Sequence, residues 1–384
     1  MKKASVKLYS GFGVVMITFL IAAQLFHIVK PDETYSAEEK RNLASVPELS
    51  LDTLSDGSFM SHMESYTADQ FPFRSFWMRT RMNALYTVGR RESHGVTYNS
   101  DGTLSEPYQG YDEGLLRETA GALNDFASRH EFEHAWFLAV PTASEIFPEV
   151  LPPYTENASE ADYFASLQAN IGNDFTVFDV FQTLKDLKKD GMLLYYRTDH
   201  HWTTDTAFSV FSSLAEETGW TVGTYLPKVI DNRFLGSLSA KSGFTVDQAD
   251  AVTIYLNEND SLYTLVSPEG GGSVTGSFYD YEAMRSTGDA YSVFFGGNKP
   301  VIRVRTTADT EKTLLVFKDS YANCFLPFLA ESYKEITIVD PRYYSGRADD
   351  LFLQKGFTDL LCLYNIATLS ADTDLKAVLS DEAL

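Results

Sequence analysis

The sequence predicts an α/β fold, a parallel sheet flanked by helices, with a β-rich insertion and an N-terminal transmembrane helix. Three observations carry that expectation. Short apolar runs alternate with segments of helical period through residues 115–218 and again through 313–363, the alternation that builds parallel sheets from βαβ units. Between these blocks, residues 225–305 change to glycine, serine and β-formers. At the start, an uncharged run from Tyr9 to Val29 follows Lys2, Lys3 and Lys7.

That first run is about as long as a bilayer-spanning helix needs, and only His27 interrupts its apolar character. It exceeds a signal-peptide core, and no small-x-small pattern precedes Lys30-Pro31, which favours an uncleaved signal anchor over a removed signal peptide. A buried soluble helix is the competing reading. Lysines on the short side hold that end in the cytoplasm, so residues 1–30 form a basic end and anchor and the rest is sent outside. The expected location is the cell membrane, single-pass, with the main domain extracellular.

Residues 31–58 are polar with scattered prolines and read as a tether, leaving 59–384 as the main domain with 225–305 as its insertion. From Phe59 to Tyr86 apolar residues recur at helical spacing on either side of Phe71-Pro72, predicting a helix, a turn and a second helix. Gly95 to Tyr98 and Thr103-Leu104 are strand-like around the turn signal Asp101-Gly102.

The alternation then begins. A helix over Leu115 to His130 precedes a strand at His134 to Val140, ended by Pro141. Next come a helix at Glu160 to Ile171, a strand at Thr176 to Phe178, a helix at Val180 to Lys188, a strand at Leu193 to Tyr196 and a helix from Trp202 to Thr218. Inside the insertion, Gly270-Gly271-Gly272 lacks the Lys-Ser/Thr of a phosphate loop and reads as a hairpin tip. The chain closes with strands at Thr313 to Phe317, Ile336 to Val339 and Asp359 to Leu363, alternating with helices at Asn323 to Ser332 and Ala348 to Lys355.

A net charge of −22 argues against binding nucleic acid, which needs a basic face. Cys324 and Cys362 are too few for a disulfide scaffold and lie in apolar segments, the setting of buried free thiols.

Two segments carry chemistry: Arg197-Thr198-Asp199-His200-His201-Trp202-Thr203 and Leu315-Val316-Phe317-Lys318-Asp319-Ser320-Tyr321. Ser320 directly follows a strand and precedes a helix, which exposes its hydroxyl near free backbone N–H groups able to stabilise an oxyanion. A serine needs a base; His201 is the candidate, and Asp199, two residues earlier, can fix its tautomer and offset its developing charge. Taken singly, Ser320 and Asp199 each read as helix N-caps, and only their combination points to catalysis. Asp199, His200, His201 and Asp205 could instead ligate a metal, but adjacent histidines point apart and no third histidine lies in a matching segment. No metal or other cofactor is expected.

The segment RTDHHWTTDTAF resembles the Asp-x-His-Trp signature of the DHHW family and of alginate O-acetylation proteins of the AlgX and AlgJ type. YTADQFPFRSFW, PTASEIFPEVLP, FFGGN and FKDSYAN are similar in order and spacing to segments of those proteins, so the resemblance spans most of the chain beyond the first helix. It implies an SGNH-hydrolase-like, flavodoxin-like catalytic domain in which the Asp-x-His pair precedes the serine, as it does here. It also implies oxyanion or substrate contacts from the loops after the last two strands, where Asn365 is the better match and Arg342 a looser one, with Tyr321 beside the nucleophile. Lys318-Asp319 replaces the small residue usual before the serine, and His200 stands where many alginate-type relatives have Thr.

The functional expectation is a membrane-anchored, extracytoplasmic O-acetyltransferase or acetylesterase with a Ser320-His201-Asp199 triad. Its substrate would be a carbohydrate or acyl ester of a cell-envelope or exported polysaccharide. The resemblance implies a multispanning membrane acyltransferase as partner. The alternative is a non-catalytic glycan-binding or scaffold module of a cell-envelope modification complex.

Overall fold

The computed structural model describes residues 2–36, 38, 41–258, 265–269, 276–354 and 356–380, with backbone only at 2–10, 23, 24, 27, 28, 265–269 and 354. Gly270 to Gly272 and Lys355 therefore lie outside the described residues. The chain divides into two compact units, Met1–Arg90 with Gly243–Thr245, and Arg91–Ser242 with Val246–Leu384.

In the first unit a helix runs over Lys2–Val29. Val14, Ile17 and Ile21 on it are exposed. Among the described residues no helix is long and apolar enough to cross a membrane. The stretch read as a tether carries a short helix, Leu51–Ser55, capped by Ser50, and a bridge between Tyr35–Ser36 and Arg41–Asn42. The helices Ser58–Asp69 and Arg74–Thr87 stand on either side of the expected proline turn.

The second unit is built on a seven-stranded sheet. Its strands, numbered among themselves, are β1 His134–Val140, β2 Phe175–Phe178, β3 Leu265–Glu269, β4 Val301–Arg305, β5 Thr313–Lys318, β6 Glu335–Val339 and β7 Asp359–Asn365. The order is β3-β4-β6-β5-β7-β1-β2. The pairs from β6 across to β2 are parallel, while β4 joins β6, and β3 joins β4, antiparallel. Every residue of β6 and β7 is buried, as expected for strands covered on both faces by crossover helices.

Three expected elements take another form. Leu193 to Tyr196 makes no strand, only an isolated bridge from Tyr195 to Trp202, because this segment folds back on its own continuation instead of entering the sheet. The helix after Trp202 begins at Thr204, with Thr203 as its N-cap. Asn323 to Ser332 is two 3-10 stretches, Ser320–Cys324 and Leu326–Glu331; Pro327 lacks the N–H that a continuous α-helix would require.

Residues 225–305 are β-rich in part. Tyr225–Phe234 and Asp250–Asn257 form a separate antiparallel hairpin with bulges, whereas β3 and β4 extend the main sheet. Short helices at Ser237–Ser242 and Tyr281–Thr287 and a 3-10 turn at Ala290–Val293 also lie among its described residues.

The topology places the carboxyl ends of β5, β6, β7 and β1 side by side, the crevice where open parallel sheets form their sites. The Phe317 ring in β5 is fully buried and meets Phe126 edge-on at 5.7 Å. Phe317→Ala is expected to cost about 3–5 kcal/mol through lost burial and the cavity left behind, read as a lower urea midpoint at unchanged slope.

Candidate active site

The Asp199 loop is shaped by its backbone. Asp250, at the start of the second hairpin strand, accepts the N–H groups of Arg197 at 2.8 Å and Thr198 at 2.9 Å. It also accepts the Thr198 hydroxyl at 2.6 Å. Thr198 Oγ1 in turn receives the Gly236 N–H at 2.9 Å. The far side of the loop closes through Tyr196 N–H to the His201 carbonyl at 3.1 Å and Thr203 N–H to the Leu194 carbonyl at 2.9 Å. With its backbone groups engaged, the loop presents Asp199 and His201 in fixed directions.

The turn at Ser320 is fixed as firmly. Asp319, fully buried, is the N-cap of the 3-10 turn that Ser320 opens; it accepts Tyr321 N–H at 2.9 Å and, from the end of β7, Asn365 N–H at 3.0 Å. Its carboxylate is thus spent on backbone donors. Burial raises the Asp319 pKa, against the pull of Arg342, these two N–H groups and Lys318. The Ser320 N–H, first in its turn, has no acceptor within it.

These two loops bring Ser320, His201 and Asp199 into one hydrogen-bonded line. Ser320 Oγ lies 2.8 Å from His201 Nε2, and His201 Nδ1 lies 2.5 Å from Asp199 Oδ1. Asp199 Oδ1 also accepts the His201 N–H at 3.0 Å, while Oδ2 accepts the Ser237 N–H at 2.7 Å. The His201 ring is sandwiched, with Tyr291 stacked at 3.9 Å and 15° and His200 at 3.9 Å and 36°. Burial pushes the His201 pKa down to about 4, helped by neighbouring His200 and opposed by Asp199. The imidazole is therefore neutral at pH 7, with Nε2 able to accept the serine proton.

The two motifs are also joined directly. Trp202 Nε1 donates to the Tyr321 carbonyl at 2.9 Å, and the Tyr321 hydroxyl donates to the His200 carbonyl. Tyr321 is buried, so what it holds is the loops. Arg342 forms a two-pronged ion pair with Asp340, at 2.9 and 2.7 Å. Asn365 donates its amide to the Val140 carbonyl at 3.2 Å and caps the next helix by accepting Thr368 N–H, also at 3.2 Å.

His200 keeps 38% of its side chain exposed and has Nδ1 2.7 Å from Ser237 Oγ. Asp199, His200 and His201 offer atoms within 4.8 Å of one another that could hold a metal ion. Both Asp199 oxygens and His201 Nδ1 already serve the line just described, and Asp205 accepts the Tyr255 hydroxyl at 2.6 Å.

Behind Ser320 lies a buried polar cluster. Lys318, fully buried at the end of β5, donates to Asn298 Oδ1 at 2.9 Å and Asp340 Oδ2 at 3.1 Å, and Asn323 donates to the same Asn298 oxygen at 3.1 Å. Burial lowers the Lys318 pKa, though Asp340 resists it. Burial alone would raise Asp340, but hydrogen bonds from Arg342 and the charge of Lys318 outweigh it and hold the carboxyl below its ordinary value.

Sequence reasoning missed Gly236, Ser237, Asp250 and Tyr291. All four lie in the β-rich segment, where neither period nor motif marks a residue as facing the Asp199 loop. FFGGN was noted, and its Asn298 is the residue that receives Lys318.

Residues 115–225 match the model of an SGNH hydrolase-like domain, acetyltransferase AlgX. Among solved structures, a DHHW family protein from Eubacterium siraeum aligns with a TM-score of 0.62 at 24% identity, covering 74% of this chain and 95% of that one. PatB1 from Bacillus cereus aligns at 0.59 and 20% identity, covering 73% and 98%. A second PatB1 structure, with a sulfonyl adduct, aligns at 0.58 and 19%, covering 72% and 98%. At these identities the structural likeness shows a shared fold. None of the curated proteins matches the chain. The chain is thus similar in sequence to AlgX and in structure to a DHHW protein.

Removing one partner from the buried cluster leaves an uncompensated charge. Asp340→Ala, which strands Lys318 and Arg342, is expected to lower stability by about 3–5 kcal/mol, measured by urea unfolding at neutral pH.

Proposed function

We propose that the chain is an extracytoplasmic serine acyltransferase or esterase that moves an acetyl group to a carbohydrate hydroxyl or to water. The observation carrying this reading is the line from Ser320 through His201 to Asp199, at 2.8 and 2.5 Å. Ser320 Oγ attacks the acyl carbonyl while His201 Nε2 takes its proton, and Asp199 stabilises the imidazolium. The tetrahedral intermediate collapses when His201 returns that proton to the leaving oxygen, leaving an acyl-serine. A hydroxyl of sugar or water then attacks, its proton going to His201 and back to Ser320 as the acyl group departs. The Ser320 N–H is the first oxyanion donor. Asn365 would join it by exchanging its bond to the Val140 carbonyl.

The match to an acetyltransferase domain over residues 115–225 supports acetyl as the group. The resemblance of RTDHHWTTDTAF to alginate O-acetylation proteins supports polysaccharide as the acceptor. The uncharged run at Tyr9 to Val29 behind three lysines supports anchoring by the first helix, with the second unit outside. An acetyl supply on that side implies a multispanning membrane acyltransferase as partner.

Ser320→Ala is expected to abolish p-nitrophenyl acetate turnover, a loss of at least about a thousandfold, with the folded circular dichroism spectrum retained. A sulfonyl fluoride should transfer its sulfonyl group to the wild-type serine, releasing HF and leaving the corresponding mass increase, and should not modify this variant. A cellular phenotype left intact by Ser320→Ala would instead support the non-catalytic glycan-binding or scaffold reading.

Because the base works deprotonated, activity should be full above the His201 pKa and lost as pH falls through it. The acid limb of kcat/KM is expected near about 4, well below an ordinary histidine.

A further inference from the structure

We infer that Ser237 and Tyr291, both supplied by the β-rich segment, are positioning residues that set His201 between Asp199 and Ser320. The inference rests on the serine acyl-transfer reading and assigns part of that machinery to two residues outside the recognised motifs.

The first contact acts on the carboxylate. Asp199 Oδ1 is committed to His201, and Ser237 N–H on Oδ2 at 2.7 Å resists the carboxylate turning about its last bond. Gly236 allows that approach. A Cβ there would collide with the Cβ and Oδ2 of Asp199, so only glycine lets the backbone pass. The approach is not incidental, because Gly236 N–H is tied to Thr198 Oγ1, and Asp250 holds the same threonine. The Ser237 hydroxyl contacts His200 Nδ1 and not Asp199, so the backbone and side chain of one residue serve different partners.

The second contact acts on the base and nucleophile together. Tyr291 lays its ring on His201 at 3.9 Å, and its hydroxyl donates to the Ser320 carbonyl at 3.0 Å. One rigid side chain thereby gauges the separation of the imidazole from the serine turn. The groups around His201 are Asp199, His200, Tyr291, Tyr321 and Ser320, with Asp289 acting from further off. Among the described residues, only Tyr291 touches both His201 and the Ser320 turn by ring and hydroxyl.

The test uses the full chain and p-nitrophenyl acetate, with kcat, KM and the pH profile recorded for each variant and Tm checked alongside. Ser237 is the first residue of its short helix, where proline is tolerated. Ser237→Pro therefore removes the N–H, and Ser237→Ala removes the hydroxyl alone. The expected result is a kcat about ten- to a hundredfold lower for Ser237→Pro than for Ser237→Ala, with KM little changed. Its acid limb should move upward, because a carboxylate that has lost a donor stabilises the imidazolium better.

Tyr291→Phe keeps the ring and should keep the acid limb while lowering kcat several-fold, whereas Tyr291→Leu opens His201 to water and should raise the limb toward an ordinary histidine. Equal kcat and equal limbs for the two Ser237 variants, or a limb unmoved in Tyr291→Leu, would overturn the inference. Activity surviving in Ser320→Ala would overturn the acyl-transfer reading itself, so the two failures are distinguishable.

Discussion

Trp202 and Tyr321 exchange hydrogen bonds across the two halves of the site, the indole donating to one backbone carbonyl and the phenol to another. Both side chains are buried, so breaking either bond would leave a polar group without water to replace its partner. That cost makes the relative placement of the two loops nearly rigid. The 2.8 Å separation of Ser320 from His201 follows from it, as does the usefulness of everything that orients the imidazole. A proton transfer between groups held this way needs no search of conformations.

A second constraint concerns charge. Lys318, Asp319 and Asp340 sit at the ends of adjacent strands with almost no exposure, a costly arrangement unless every group is paired. Asp319 meets this by accepting N–H groups from its own turn and from β7, which ties two neighbouring strand ends together. Lys318 is held by Asp340 and by Asn298, and Asn298 also takes a hydrogen bond from Asn323 in the nucleophile turn. The negative charge beside the serine is therefore directed into the scaffold. Asp319 thus does not oppose an oxyanion at Ser320 in the proposed reaction.

Much of the sheet was legible because parallel strands are written locally, as apolar runs closed by a proline or a polar turn. The expected strand at His134 to Val140 has those bounds in the structure. Leu193 to Tyr196 misled for the same reason: it is apolar, and Leu194, Tyr195 and Tyr196 are buried, but its bridge is to Trp202, and pairing partners are not encoded in a run. The line from Ser320 to Asp199 could be anticipated because a strand end and a two-residue Asp-x-His spacing are short-range features. Ser237, Tyr291 and Gly236 could not, since each acts through a contact fixed by the fold of a hairpin and its neighbours. Asn365 shows the limit of positional matching. It stands at the expected strand end, yet its amide is engaged by Val140.

The strand order carries a temporal meaning as well. β1, among the earliest strands in the chain, lies between β2 and β7, the last strand to be made, and β7 separates β1 from β5. Until the final strand arrives, the turn at Ser320 has no bridge to the earlier half of the sheet, and Asp319 has no Asn365 N–H to accept. Such long-range parallel closure is a late, slow step in folding. An incomplete chain lacks the strand that joins the Ser320 turn to the earlier half of the sheet, so the line from Ser320 to His201 is assembled only when the whole sheet has closed.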